Sequence, residues 1–252
     1  MLVVISPAKK LDENCDQKIL PKFTMPPYLE NSKKIIKILR QYSSNNLSEL
    51  MNISEKISIL NYERYIKWST PFTKKNSYPA LLLFKGDVYK GIAASDFKKE
   101  DFVFAQKTLR ILSGLYGILK PLDLIQPYRL EMGTPLRIGK HNDLYDFWGN
   151  DITKEINNDV NSDYLINLAS VEYFKSIKKD FLRSKLINII FKEKKNFDYK
   201  VIGIFAKKAR GLMSRYIIKN KIKNPQDLKK FNLERYKYNK KLSSETDWVF
   251  TR

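Results

Sequence analysis

The densest chemistry in the chain is cationic. Ala206-Lys207-Lys208-Ala209-Arg210-Gly211 sets three cations beside a glycine. That combination suits a phosphate oxygen, because the cations neutralise charge and glycine lets the backbone come close. Three other compact polar segments follow apolar runs directly: Ser6-Pro7-Ala8-Lys9-Lys10, Lys85-Gly86-Asp87 and Ala169-Ser170. If the preceding runs are strands pointing one way, all four segments converge at one sheet edge, where open sheets hold ligands. Strands that simply end in polar turns would give the same pattern. Beyond Gly211, the apolar stripe Ala209, Leu212, Met213, Tyr216 and Ile217 predicts a helix, with Lys208, Arg215 and Lys219 in a row beside it. Such a row can follow a phosphate backbone, and a solvated helix face has the same spacing.

A second anion-binding candidate lies at 101–124. Phe102, Ala105, Leu109 and Leu112 have helical spacing, with Lys107 and Arg110 on the polar side. Ser113-Gly114-Leu115-Tyr116-Gly117 then offers a turn before Ile118-Leu119-Lys120. This reads as a helix-hairpin-helix candidate, in which turn N–H groups and a nearby cation grip a phosphate. The glycines are three apart rather than two and Pro121 shortens the second helix, so an αα-corner with a structural glycine remains open. Gly86 and Gly211 are read as points of close phosphate approach.

Other chemistries are thinly supplied. Cys15 is the single cysteine and His141 the single histidine, which excludes an internal disulfide and leaves few soft metal ligands. Carboxylates beside Cys15 disfavour a reactive thiolate. No metal site and no cofactor is expected. Lys9, Lys85 or Lys120 as an amine, with Asp87, Asp123 or Glu131 as a carboxylate, would be needed for lyase-like catalysis, but no catalytic constellation is recognisable. Asp123 capping a turn and Glu131 pairing with Arg129 are the simpler roles. Trp148 could stack on a base, although core packing is the simpler role.

The elements that must position these groups are mixed along the chain. Apolar runs at 2–5, 81–84, 164–168, 186–191, 201–205 and 248–251 predict strands. Ile35, Ile36 and Leu39 predict one helix, and Leu47, Leu50, Met51 and Ile57 mark further helical pattern. The polar stretch 192–198 between two strand-like runs predicts a β-hairpin, so the class is α+β, with a mixed β-sheet flanked by helices. The weak interruption at 137–142 does not divide the chain, and one domain over 1–252 is expected. The first strand is too short for a signal peptide, and no apolar run is long enough for a bilayer span. A cytoplasmic location without membrane contact follows, and no feature sets an oligomeric state.

Forty-seven Lys and Arg against 27 Asp and Glu give a formal net charge of +20, a field that attracts polyanions. The richness in Lys, Asn and Ile also fits a coding bias. The ten arginines are less easily assigned to that bias.

Several unbroken motifs resemble the YaaA peroxide-stress family: Ile5-Ser6-Pro7-Ala8-Lys9, Phe84-Lys85-Gly86-Asp87-Val88-Tyr89, the run from Leu112 through Leu124, Gln126 through Met132, Asn167-Leu168-Ala169-Ser170 with Glu172-Tyr173-Phe174, and Ala206 through Gly211. The resemblance implies a basic cleft, a helix-hairpin-helix element, affinity for duplex DNA and a peroxide-stress role through keeping unincorporated iron low. On it the hairpin maps to Ser113, Gly114, Tyr116 and Gly117, and the cleft to Lys9, Lys85, Arg129, Lys207, Lys208, Arg210 and Arg215. Three functions compete: sequence-indifferent duplex DNA binding, a glycosylase- or lyase-like enzyme on nucleic acid, and direct iron sequestration. The positive field argues against the last.

Overall fold

A computed structural model describes residues 1–15, 20–159 and 163–252. Its centre is an eight-stranded sheet of β1 (Leu2–Ile5), β2 (Leu109–Ser113), β3 (Gly117–Leu119), β4 (Tyr164–Leu168), β5 (Lys185–Lys195), β6 (Asp198–Lys200), β7 (Lys237–Tyr238) and β8 (Asp247–Thr251). The order is β7-β8-β5-β4-β1-β2-β3, with β6 paired to β5. The middle strands β8, β5, β4, β1 and β2 are parallel, while β7, β3 and β6 join antiparallel. The class is therefore α+β with a mixed sheet. All of β1 is buried, as expected for a strand covered on both faces.

The helices are α1 (Leu29–Leu39), α2 (Ser44–Met51), α3 (Glu55–Lys67), α4 (Asp87–Ile92), α5 (Lys99–Thr108), α6 (Asp151–Asn158) and α7 (Gly203–Lys219), besides shorter helical turns. Helix α7 packs on α4, α5 and β5, and α5 packs on β1 and β2. The stripe read from the sequence anchors α7, with Ala209, Met213 and Ile217 buried. No helix among the described residues is long and apolar enough to cross a membrane.

Two expected strands are corrected. Ala80–Leu83 is a helical turn, since alanine and leucine, which are not β-branched, have high helix propensity. Only Phe84–Lys85 pairs, antiparallel to Lys10–Leu11. The 201–205 run does not join the sheet, because Gly203 already opens α7 and Ile204 and Phe205 are exposed.

The helix-hairpin-helix candidate is also corrected. Helix α5 ends at Thr108, and residues 109–119 form the β2–β3 hairpin, with Ser113 paired to Gly117. A strand buried on both faces need not show the alternation of apolar and polar residues that marks a half-buried one, and Leu109 and Leu112 also continue the helical spacing of Phe102 and Ala105. Gly117, at φ +71°, makes the turn under the Trp148 ring, where a Cβ would lie 2.8 Å from a ring carbon. Trp148 is a core residue whose Nε1 donates to the Gly114 carbonyl at 3.0 Å. A helix pair with a short turn occurs instead at α2 and α3, where Asn52 adopts φ 47° and Ile53 N donates to Ser48 O.

Candidate nucleic-acid interface

A cleft of about 650 Å³ opens beyond the carboxyl ends of β1 and β4. Ser6 through Lys10 enter it directly from β1, and Ser170, Glu172 and Tyr173 enter it from β4. The parallel pairing of these strands aims both exits the same way. Ser6 ties them together, its Oγ accepting from Ser170 N at 2.9 Å. Lys85, Gly86 and Asp87 arrive through the short pairing with Lys10–Leu11 rather than from a strand of the main sheet. Tyr128 to Glu131 form another wall, held where the Tyr128 hydroxyl meets Ser113 Oγ at 2.6 Å.

The last wall is α7, which contributes Lys207 and Arg210. Its height is set by glycines. A Cβ on Gly211 would lie 1.9 Å from the Val88 carbonyl oxygen, and one on Gly91 would lie 2.4 Å from the Lys208 carbonyl oxygen. The close approach at Gly211 is therefore between α7 and α4, not between backbone and phosphate. At Gly86 a Cβ would meet the Ala8 side chain at 3.3 Å, so that glycine fits the β1 exit against the Lys85 segment.

Five residues expected to bind DNA thus line one cleft: Lys9, Lys85, Arg129, Lys207 and Arg210. Lys9 pairs with Glu131 at 2.7 Å, and Lys85 with Asp12 at 3.0 Å. Both lysines remain mostly exposed, at 60% and 58% of their side chains. Arg129 donates from Nη2 to Glu131 at 3.0 Å, while its buried Nε has no acceptor among the described residues. Burial alone pulls the basicity of the Arg210 guanidinium below its ordinary value.

The remaining candidates are elsewhere. Arg110 is 3% exposed and ion-paired with Asp159, and it donates to the Gln106 carbonyl at 2.9 Å and the Leu109 carbonyl at 2.6 Å. Ser113, Gly114, Tyr116 and Gly117 are buried, and a Cβ on Gly114 would lie 2.4 Å from the Leu130 carbonyl oxygen. Tyr116 OH accepts from Trp68 Nε1 at 3.0 Å. Lys107 is exposed on α5, and Lys120 lies 3.5 Å from Asp159. The row on α7 is neutralised: Lys208 pairs with Glu234, Arg215 grips Asp96 at 2.6 and 2.8 Å, and Lys219 reaches Asp101 at 3.0 Å. Asp123 caps a turn, accepting from Lys120 N at 2.7 Å.

Sequence reading missed Lys90, Tyr128, Tyr173 and Glu172 as lining residues, whereas Lys10 lies within a segment read as converging on that edge. Tyr128 adjoins Arg129, so proximity to a chosen cation was the available signal. Among the described residues, no cluster of three or more His, Cys, Asp or Glu could hold a metal ion.

A family model described as peroxide stress protein YaaA matches residues 1–242. The chain is 53% identical to a UPF0246 protein of Acaryochloris marina, covering all of both chains. It is 51% identical to UPF0246 proteins of Colwellia psychrerythraea and Teredinibacter turnerae, covering all of this chain and 99% of each relative.

Proposed function

Since the chain belongs to the YaaA peroxide-stress family, we propose that it serves peroxide resistance by binding duplex DNA through phosphates laid across this basic cleft. The observation that carries the reading is the gathering of Lys9, Lys85, Arg129, Lys207 and Arg210 on one lining. The exposed lysines supply mobile point charges at the mouth, and releasing counterions from the phosphates drives association without reading bases. The +20 charge speeds encounter with any polyanion. Iron is limited as a consequence of the DNA-bound role rather than by storage, since a positive field disfavours accumulating a cation.

The test is duplex affinity as a function of salt. Five contacted phosphates give a slope of about −4.5, hence a fall of roughly 500-fold between about 50 and about 200 mM salt. A flat response, or no binding at low salt, overturns the proposal.

A further inference from the structure

Most arginines of this protein are accounted for. Arg110, Arg215 and Arg252 hold carboxylates, Arg64 holds Glu13, and Arg40 donates to carbonyls. Arg137, Arg183 and Arg235 are exposed to water. Arg129 and Arg210 are less completely met, Arg129 by a Glu131 that it shares with Lys9. Arg129 is only 14% exposed and keeps a buried Nε with no acceptor, while Arg210 is partly buried and its guanidinium has no hydrogen bond or ion pair among the described residues. Both line the same cleft.

A guanidinium stays charged at any physiological pH, and withdrawing it from water is costly without an opposing charge. Its planar fork of donors fits an oxyanion. Glu131 answers part of the local charge, but Lys9 also draws on that carboxylate. A dianionic phosphate completes the balance better than a carboxylate. The neighbouring wall is aromatic. Tyr89 and Tyr128 are buried, with their hydroxyls engaged, Tyr89 to the Ser6 carbonyl at 3.1 Å and Tyr128 to Ser113, and their rings packed on Phe84, so what they present to the cleft is a narrow apolar edge. An apolar edge beside buried cations suits the flank of a planar heterocycle. Glu172 uses one oxygen on Gly133 N at 3.0 Å and keeps the other for an amino or hydroxyl donor. The volume of about 650 Å³ lies in the usual range for small-molecule sites.

We propose that the inner part of the cleft is a site for one phosphorylated nucleotide, with Arg129 and Arg210 holding its phosphate and the tyrosine wall taking its base. The choice of a nucleotide rests on the nucleic-acid reading above. The nucleotide comes either from solution or from a strand, turned out of its stack.

The experiment titrates the full chain with adenosine 5′-monophosphate, adenosine and inorganic phosphate, and with duplexes that carry or lack one unpaired nucleotide. The variants are Arg210→Met and Arg129→Met, each checked by a thermal melt. The Arg210 guanidinium has no protein partner to lose among the described residues, so its variant is expected to melt no lower than the parent. The monophosphate should bind with one-to-one stoichiometry and at least tenfold tighter than adenosine or inorganic phosphate, and both variants should lose at least tenfold. If the free monophosphate does not bind but the unpaired-nucleotide duplex is preferred, and Arg210→Met erases that preference, the source is a strand. The proposal is overturned if neither ligand responds to the variants, or if inorganic phosphate binds as tightly as the monophosphate. Ordinary duplex binding can persist in the first case, and it can fail while the monophosphate still binds, so the two proposals fall separately.

Discussion

The β2–β3 hairpin and the first half of α7 look alike as sequence, each with an arginine inside an apolar pattern near a glycine, yet their arginines have opposite situations. Arg110 is sealed in the sheet with Asp159 and two carbonyls. Arg210 faces a cleft with no protein partner among the described residues. What separates a structural cation from one available to a ligand is whether the fold has both supplied its counter-charge and sealed the pair from the cleft, as it has for Arg110 and has not for the exposed Lys9 and Lys85. Sequence neighbours do not reveal that, because Asp159 lies 49 residues from Arg110.

The largest effect should come from breaking the sealed pair. Arg110→Ala leaves Asp159 with Lys120 as its remaining ion-pair partner among the described residues and should cost about 3–5 kcal/mol in denaturant unfolding. The protein that remains folded should bind DNA as before, and an unaltered melt would mean the two arginines are not different in kind. Next comes the contact that holds the cleft wall. Gly211→Ala puts a Cβ into the Val88 carbonyl and should cost about 1–3 kcal/mol, with weaker DNA binding because Lys207 and Arg210 shift with α7.

A finer contrast lies within α7. Arg215→Ala removes a partly exposed pair with Asp96 and should cost about 1 kcal/mol or less, leaving the salt slope of DNA binding unchanged. Arg210→Ala should leave the melt intact and reduce that slope by about one.

The smallest test concerns pH. Burial works against the Asp101 carboxylate, but hydrogen bonds from Lys221, Lys219 and the Lys98 N–H hold its pKa at about 2. The folded value lies below the ordinary one of about 3.9, so this stabilisation is complete above about pH 4 and drains away as pH falls toward about 2. Asp101→Asn should flatten that part of the acid-unfolding curve and leave DNA binding at neutral pH unaltered.

Much of this frame was legible in the sequence. Strands β1, β4, β5 and β8 announce themselves as short β-branched or aromatic runs, and the stripe from Ala209 to Ile217 identifies α7. The meeting of Lys9, Lys85, Lys207 and Arg210 followed from polar segments behind apolar runs, although two of those runs are not strands of the sheet. Residues 109–113 misled because burial on both faces erases the alternation that marks a strand. Gly114 and Gly211 misled because a glycine forced by backbone crossing looks the same in sequence as one that admits a ligand.

The central claim is that cations of the cleft, and not those around the 109–119 hairpin, meet the phosphates. It is tested most directly by comparing the salt slopes of duplex binding for two double variants that melt like the parent. Lys207→Ala with Arg210→Ala should lower the slope by about two, while Lys107→Ala with Lys120→Ala should leave it unchanged. Equal losses in the two variants, or a loss confined to the second, would contradict the account.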